Sequence, residues 1–354
     1  MSRFVQLHLL TNYAPSNLNR DDTGRPKNAL VGDALRLRIS SQCQKRAWRT
    51  SDAFAGALGD HLGTRTKRLG NEAFQALCNA GVREADARKW SRMIAGCFGK
   101  PKSEKKTDND EDLEIEQLAH VSTDERAAVR ELVAKCAQRG SGPEGEELSL
   151  LRKPRHDVDI AMFGRMLADS PQFNVEAAVQ VAHAITVHRC TVEDDYFSAI
   201  DDLNRDAPNA SHIGERGYGA GLFYQYVCIN RELLSDNLGC DGELTARALA
   251  ALVHAVTKVT PNGMQSSFAS RAYASYVLGE KGDQQPRSLA EAFLQPIKPT
   301  GDRGMLDSAI AKLETWQKHF DDVYGACAAS RYTINVVTGD GRLTDLVAFV
   351  QAEP

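Results

Sequence analysis

The chain has 354 residues, of which 42% are hydrophobic and 25% charged, a composition typical of a folded globular protein and not of a disordered one. No apolar run reaches the roughly 20 residues that a bilayer crossing needs, so we expect no membrane association. Residues 1–50 carry nine Lys and Arg against three Asp, a net charge of +6, although the whole chain has a net charge of −4. This asymmetry argues against a protein that coats nucleic acid over its whole surface and favours one phosphate-binding groove.

The eight cysteines are scattered along the chain, without a CxxC motif or a paired His/Cys spacing. This pattern predicts neither a disulfide framework nor a zinc site, and we expect no metal and no cofactor. The N-terminus, MSRFVQLHLLTNYA, lacks the apolar core and cleavage site of a signal peptide. We therefore expect reduced thiols in a cytoplasmic protein.

The first elements are read from alternation. Residues 4–10 alternate and predict a strand, and a polar loop with the cations Arg20, Arg25 and Lys27 follows. Residues 35–39 predict a second strand, with Leu35, Leu37 and Ile39 on one side and Arg36 and Arg38 on the other.

The junction after this strand is the most informative stretch, since LRLRISSQCQKRAWR passes from alternation to a basic helix at Ser40 and Ser41. The helical spacing puts three cations and an amide on neighbouring positions: Gln42, Lys45, Arg46 and Arg49. Serine hydroxyls, free backbone donors and cations at a helix start suit a phosphate chain. A capped helix with a solvated cationic face is the alternative.

The remaining chain alternates helical and extended patterns. We predict helices, broken by glycines, over 42–98, and further helices over 117–138, 243–259 and 304–323 and at the C-terminus. We predict strands over 176–188, 222–230, 271–278 and 332–337, a charged loop over 99–112, and a long excursion or hairpin over 194–221. The order predicts an α+β fold of the ferredoxin-like or RRM-like type. No GxGxxG motif follows a predicted strand, and the sequence contains no GxxxxGK[ST] motif of nucleotide-binding loops.

Several ordered segments together resemble one protein family: FVQLHLL, PSNLNRDD, RLRISSQCQKRAWR, DVDIAMFGRM, AHAITVH, DDYFSAIDDL and GLFYQYVCIN. They are similar to the CasC family, the backbone (RAMP-type) subunits of Cascade, the type I-E CRISPR surveillance complex. The resemblance extends to about residue 260.

The resemblance implies an RRM-like palm, a helical fingers insertion and a β-hairpin thumb. The corresponding ranges are 1–57, 168–192 and 223–354 for the palm, 58–167 for the fingers and 193–222 for the thumb. It also implies a non-catalytic protein whose copies stack along a CRISPR RNA and present it in segments to target DNA. The other implied partners are the large, small, CasD-like and CasE-like Cascade subunits.

The resemblance also implies residue roles. RNA phosphates would be bound by Lys27, Ser40, Gln42, Lys45, Arg46 and Arg49, with help from Arg20. The displaced nucleotide would be sandwiched by Met166, Phe197 and Ile213. A weaker expectation is that duplex DNA is attracted by Arg152, Lys153 and Arg155. Alternatives remain open: Met166 as core methionine, Phe197 and Ile213 as packing at the hairpin base, and Lys27 as a solvated cation.

Two other functions compete with this interpretation. The backbone proteins of related type III complexes cut RNA with a loop aspartate and a divalent metal, and Asp21, Asp22 and Asp33 lie in or near the equivalent loop. A pure protein–protein adaptor would carry no RNA. We expect His183 and His188 to be packing or surface residues, not metal ligands.

Overall fold

The computed structural model describes residues 2–103, 110–153, 155, 157–200, 210–298 and 303–352. In this part of the chain no helix is both long and apolar enough to span a membrane. The described residues form two compact units. The first unit comprises Met1–Ala57, Val179–Arg231 and Leu249–Pro354, and the second comprises Leu58–Ala178 and Glu232–Ala248.

Strands provide most of the first unit. In chain order the strands are β1 (Phe4–Ser16), β2 (Asn28–Val31), β3 (Ala34–Ile39), β4 (Thr64–Thr66), β5 (Ala119–Val121), β6 (Val179–Val181), β7 (Ala184–Thr186), β8 (Glu193–Ile200), β9 (Ala210–Asn230), β10 (Tyr276–Gly282) and β11 (Ser330–Asn335). β4 and β5 pair with each other in the second unit, and the remaining strands form one sheet in the first.

Helices follow the same numbering. They are α1 (Ser41–Arg49), α2 (Asp52–Leu58), α3 (Leu69–Asn79), α4 (Glu84–Gly96), α5 (Thr123–Arg139), α6 (Val158–Phe163), α7 (Arg231–Asn237), α8 (Gly242–Lys258), α9 (Gln265–Phe268), α10 (Met305–Tyr324) and α11 (Leu343–Gln351). Short 3₁₀ segments cover Asp110–Leu113, Gly145–Leu148, Pro171–Phe173 and Ala290–Phe293.

The large sheet has the order β11-β10-β1-β9-β7-β3-β2, with β6 and β8 also paired to β9, and the pairings are antiparallel. Long-range antiparallel pairing together with helices confirms the predicted α+β class. The finer RRM-like assignment stays a prediction.

β1 is an interior strand of this sheet, with β9 on one side and β10 on the other. Its residues 5–11 are all buried, which requires both faces of the strand to be covered. His8 in this strand is fully buried, and its ring nitrogens lie 2.8 Å from the Tyr224 hydroxyl and 3.1 Å from a Glu280 oxygen. Glu280 also accepts hydrogen bonds from Arg287 and Arg331. A buried polar network therefore joins β1, β9, β10 and β11.

Arg36 corrects one expectation about the second strand. We expected it beside Arg38 on a polar side, but it is fully buried. Its guanidinium donates to the carbonyl oxygens of Thr186, Phe293 and Leu294 at 2.9, 2.8 and 3.4 Å. Leu35 is exposed instead. The alternation is broken because β3 lies within the sheet, next to β7, and both of its faces are partly covered.

Other boundaries also differ from the predictions. The single strand expected over 176–188 is two short strands, β6 and β7. The strand expected from residue 271 begins only at Tyr276, because Thr260 bonds both the amide and the carbonyl of Ala272 and holds this stretch in a loop. Strands β2, β4 and β5 and helices α6, α7 and α9 were not predicted. Helices α8, α10 and α11 are confirmed.

The second unit has its own core, built from α3, α4, α5 and the segments around them. Its largest buried side chains include Phe74, Trp90 and Phe98. Helix α5 begins with a capping box in which Ser122 and Glu125 exchange side-chain and backbone bonds. Of the predicted charged loop over 99–112, residues 104–109 lie outside the described residues. Pro101, in the described part of this loop, forms a β-bridge with Ile115.

Candidate nucleic-acid interface

The start of α1 is the predicted phosphate junction, and Ser40 is its N-cap. The Ser40 hydroxyl accepts from the Cys43 amide at 3.3 Å, and its own amide donates to Asn19 at 2.8 Å. The helix start is confirmed, but Ser40 and Ser41 are both buried. Their hydroxyls serve the cap and Gln42, which favours a structural contribution at this point.

The basic face of α1 is solvent-accessible. Gln42 and Arg46 are exposed, and Lys45 and Arg49 are half-buried. The opposite face packs Ser41, Gln44, Ala47 and Trp48 into the first unit. This amphipathic division keeps the predicted phosphate-binding side chains on the surface.

Lys27 is held close to this helix. Its amide donates to the Asn19 carbonyl, and its carbonyl accepts from the Arg38 amide, both at 2.8 Å. Burial raises the pKa of the Cys43 thiol, and the positive charges of Lys27 and Arg46 oppose that rise. Lys27 from the loop and Arg46 from α1 therefore both lie close enough to Cys43 to affect its thiol.

Arg38 and His183 belong to the same surface, and neither was predicted to bind RNA. An Arg38 Nη1 hydrogen bond to His183 Nδ1 spans 3.1 Å. Partial burial lowers the pKa of His183, and the charges of Arg38, Lys27 and Lys45 lower it further. Four basic side chains from four segments therefore lie together. We define Lys27, Arg38, Lys45 and His183 as the basic cluster.

Arg20 lies in the loop before β2, where it is exposed and forms a β-bridge with Pro26. The neighbouring Asp21 carboxylate accepts from the Thr23 hydroxyl and amide and from the Arg25 amide, at 2.8, 2.9 and 3.0 Å. The Thr23 hydroxyl first, and then these amides, lower the pKa of Asp21. This carboxylate therefore closes a turn.

The β8–β9 hairpin carries the predicted nucleotide wedge. Phe197 pairs with Gly214, and Ser198 pairs with Ile213. Because directly opposed residues share a face and consecutive residues alternate, Phe197 and Ile213 lie on opposite faces of the hairpin. The guanidinium of Arg216 lies 4.3 Å from the centroid of the Phe197 ring.

Tyr196 accompanies Ile213 on its face and was not predicted. The two side chains are 62% and 56% exposed. They are diagonal neighbours in the hairpin register. The sequence shows that Tyr196 is an aromatic residue within the predicted excursion. Only the pairing register of the hairpin shows which face of the hairpin Tyr196 lies on.

Met166 belongs to the second unit, within the motif DVDIAMFGRM. Its side chain is 78% exposed, so it is not core methionine. Both sequence neighbours of Met166 are held by polar contacts. Arg165 is buried and forms a 2.8 Å ion pair with buried Glu125, and the Leu167 amide donates a hydrogen bond to the Asn174 side chain at 2.6 Å. The motif thus builds a fixed support that presents Met166 to solvent.

The acidic residues of the same motif are structural. Asp159 is fully buried and bonds His120 at 2.9 Å and the Gly63 amide at 2.8 Å. Asp157 is buried, and burial raises its pKa although it accepts from the Thr123 amide.

The weaker DNA-binding candidates also lie in the second unit, and Arg152, Lys153 and Arg155 are all exposed. The Arg152 guanidinium bonds the carbonyls of Ser149 and Leu151, and the Arg152 amide donates to Glu125. Within the ranges that the structure describes, no group of three or more His, Cys, Asp or Glu residues is arranged to hold a metal ion.

The chain was compared with known proteins. Residues 5–347 match the family described as CT1975-like protein. A chain of a "CRISPR RNA-guided surveillance complex, pre-nicking" is 26% identical, with a TM-score of 0.82, over 98% of this chain and 100% of that one. A chain of a "CRISPR RNA-guided surveillance complex" has the same fold, at 24% identity and a TM-score of 0.74, over 98% of this chain and 99% of that one. No curated protein matches the chain.

Proposed function

This chain belongs to the CT1975-like protein family, and from this membership we propose that it is a Cascade component whose role is to bind CRISPR RNA as a backbone subunit. Its copies would stack along the guide RNA in a type I-E complex and present the guide in segments for pairing with target DNA. The proposed partners are the guide, neighbouring copies, the large, small, CasD-like and CasE-like subunits, and target DNA hybridised to the guide. The proposed location is the cytoplasm.

The observation that carries this proposal is the convergence of cations from separate segments on one accessible surface. Lys27 comes from a loop, and Lys45, Arg46 and Arg49 come from α1. A backbone protein has to accept any spacer sequence, so it should bind phosphates and sugars and leave the base edges free. Cations that bind phosphates suit this requirement.

The wedge would use the hairpin and Met166. Apolar and aromatic side chains can insert into a base stack without reading base identity, at about 1–3 kcal/mol per stacked base. The opposite faces of Phe197 and Ile213 suggest that each side chain meets a different nucleotide or a different side of the RNA kink. We keep the palm, fingers and thumb ranges as part of this proposal.

We propose that the protein is non-catalytic. In the competing RNase mechanism Asp21 or Asp22 would bind a metal ion, but the Asp21 carboxylate already accepts three hydrogen bonds within its turn. All three bonds go to Oδ1 and give this carboxylate a structural role in the turn, but they do not occupy Oδ2. The scaffold is therefore proposed from the family membership, and the nuclease is the alternative that the experiment decides.

The test is to co-express the chain with a CRISPR array and the other Cascade subunits and to purify it by a tag. We expect a uniform small RNA in a multi-subunit particle. A particle with protein only would favour the adaptor. RNA cuts at regular intervals with Mg²⁺, abolished by Asp21→Ala or Asp22→Ala, would establish the nuclease.

A further inference from the structure

The hydrogen bond between Arg38 and His183 fixes the protonation state of the imidazole. An arginine side chain can only donate, so Nδ1 of His183 must accept. The imidazole is then neutral, with its proton on Nε2. Since His183 is exposed, that N–H can reach a bound ligand.

The pair has unused binding capacity on the arginine side as well. Among the residues that the structure describes, the buried Arg38 Nε has no hydrogen-bond partner. The Arg38 amide bonds the Lys27 carbonyl, which fixes the start of this side chain next to Lys27. A guanidinium whose one bonded partner is a neutral imidazole keeps its full charge for an anion.

The charged groups acting on His183 come from three segments. They are Arg38 on β3, Lys27 in the loop before β2 and Lys45 on α1, and all three are positive. These positive charges disfavour the protonated imidazole in the absence of an anion. A phosphate between them would reverse the sign of the local field and favour the imidazolium.

We propose that Arg38 and His183 bind a phosphate of the guide RNA together with Lys27 and Lys45, and that His183 takes up one proton from solvent as the phosphate binds. This inference rests on the proposed function, because it takes single-stranded RNA as the ligand. In the complex Arg38 turns its donors to the phosphate, and Nδ1 of His183 is released to accept the proton. RNA affinity therefore rises as the pH falls.

The experiment measures the Kd of the full chain for a labelled single-stranded CRISPR RNA between about pH 5.5 and 8.5, at constant ionic strength. Wild-type protein should bind more tightly at the acidic end, by about tenfold for each unit by which the phosphate raises the pKa of His183. His183→Gln should weaken binding and abolish this extra tightening, so that the Kd of the variant changes less with pH than that of wild type. His319→Gln on α10, an exposed histidine outside the basic cluster, is the matched control and should keep the wild-type profile.

Calorimetry of the wild-type chain in two buffers of different ionisation enthalpy gives a readout that needs no variant. We expect net proton uptake on RNA binding near neutral pH. Arg38→Gln should weaken binding at every pH and reduce the salt dependence by about one phosphate contact. Parallel pH profiles for wild type and His183→Gln, or no proton uptake, would overturn the inference while RNA binding stands. Failure of the wild-type chain to bind RNA at any pH would overturn the proposed function itself.

Discussion

The ring of Phe197 lies directly over the backbone of Gly214, its partner across the β8–β9 hairpin. A Cβ at position 214 would come within 2.5 Å of the ring. The Phe197 ring also contacts Arg216, whose guanidinium lies 4.3 Å from the ring centroid. A side chain at position 214 would therefore force the Phe197 ring to move, and glycine lets the ring lie where it does.

Gly214→Ala should displace the Phe197 ring and so reproduce the effect of Phe197→Ala. Both variants should change the spacing of nuclease-protected segments on the guide more than they change bulk affinity, because the wedge sets register and phosphates supply most of the binding. The measurement is a footprint of the assembled particle. Gly145→Ala, where an added Cβ meets nothing, is the control. Wild-type spacing in both hairpin variants would exclude the wedge.

The double variant Lys45→Ala, Arg49→Ala should lower RNA affinity and flatten its salt dependence. Each lost phosphate contact on a single strand removes about 0.7 from the slope of log K against log salt, so the expected change is about 1.4. Filter binding at several salt concentrations gives the slope. Lys312→Ala, Lys318→Ala on α10 removes the same charge elsewhere and should leave the slope near the wild-type value. An unchanged slope in the α1 variant would refute the phosphate assignment.

Glu125→Gln should destabilise the second unit, because it leaves the buried Arg165 guanidinium without its counter-charge. Breaking a buried ion pair typically costs about 3–5 kcal/mol. Met166 follows Arg165 in the sequence but is exposed, so the free energy of unfolding of Met166→Ala should stay within about 0.5 kcal/mol of the wild-type value. Urea unfolding gives both values, with the exposed Glu146→Gln as control. Equal stability of Glu125→Gln and Glu146→Gln would contradict the support role of the ion pair.

The His8–Glu280 network should make stability fall in acid. Burial lowers the pKa of His8, and Glu280 only partly opposes this. The contribution of His8 to stability is therefore present above about pH 6.5, the pKa of an unfolded histidine, and is lost as the pH falls from there towards the lower folded-state pKa. Burial alone would raise the pKa of Glu280, but hydrogen bonds from His8 and Arg287 depress it far below its usual value. Its contribution is present above about pH 4.5 and is lost as the pH falls towards the folded-state pKa.

Glu280→Gln should reduce the free energy of unfolding at pH 7, because Arg287 and Arg331 lose a buried carboxylate. The loss should be smaller than the cost of a fully uncompensated buried charge, about 3–5 kcal/mol, because both arginines keep Asp321 as a partner. The substitution should also flatten the decline below about pH 4.5. Denaturant unfolding across the pH range tests both expectations. Glu291→Gln, an exposed acid, is the control. A Glu280→Gln curve parallel to that of wild type would show that the carboxylate does not carry the acid sensitivity.

Local signals in the sequence were sufficient for the helix at the junction. The N-cap at Ser40 and the basic face of α1 depend on neighbours within four residues, and both are confirmed. The start of α5 was placed too early, at residue 117, because the capping box of Ser122 and Glu125 was overlooked as a start signal. Such short-range preferences act before tertiary contacts form, so a single sequence carries them.

Contacts between distant segments decided the rest. The faces of Phe197 and Ile213 depend on register across a hairpin, and the Arg38–His183 pair depends on β3 lying beside β7. His183 was expected to be a packing or surface residue because it lies on a predicted strand. No periodicity in the sequence brings residue 38 to residue 183.

Arg36 has a practical consequence for studies of the N-terminal fifty residues. Their positive charge invites replacement of each cation in turn, yet this guanidinium is enclosed and ties three carbonyl groups together. Arg36→Ala would remove these three buried hydrogen bonds, and poor folding could then be mistaken for weak guide binding. A scan of this stretch should therefore report the melting temperature of every variant before any affinity is interpreted.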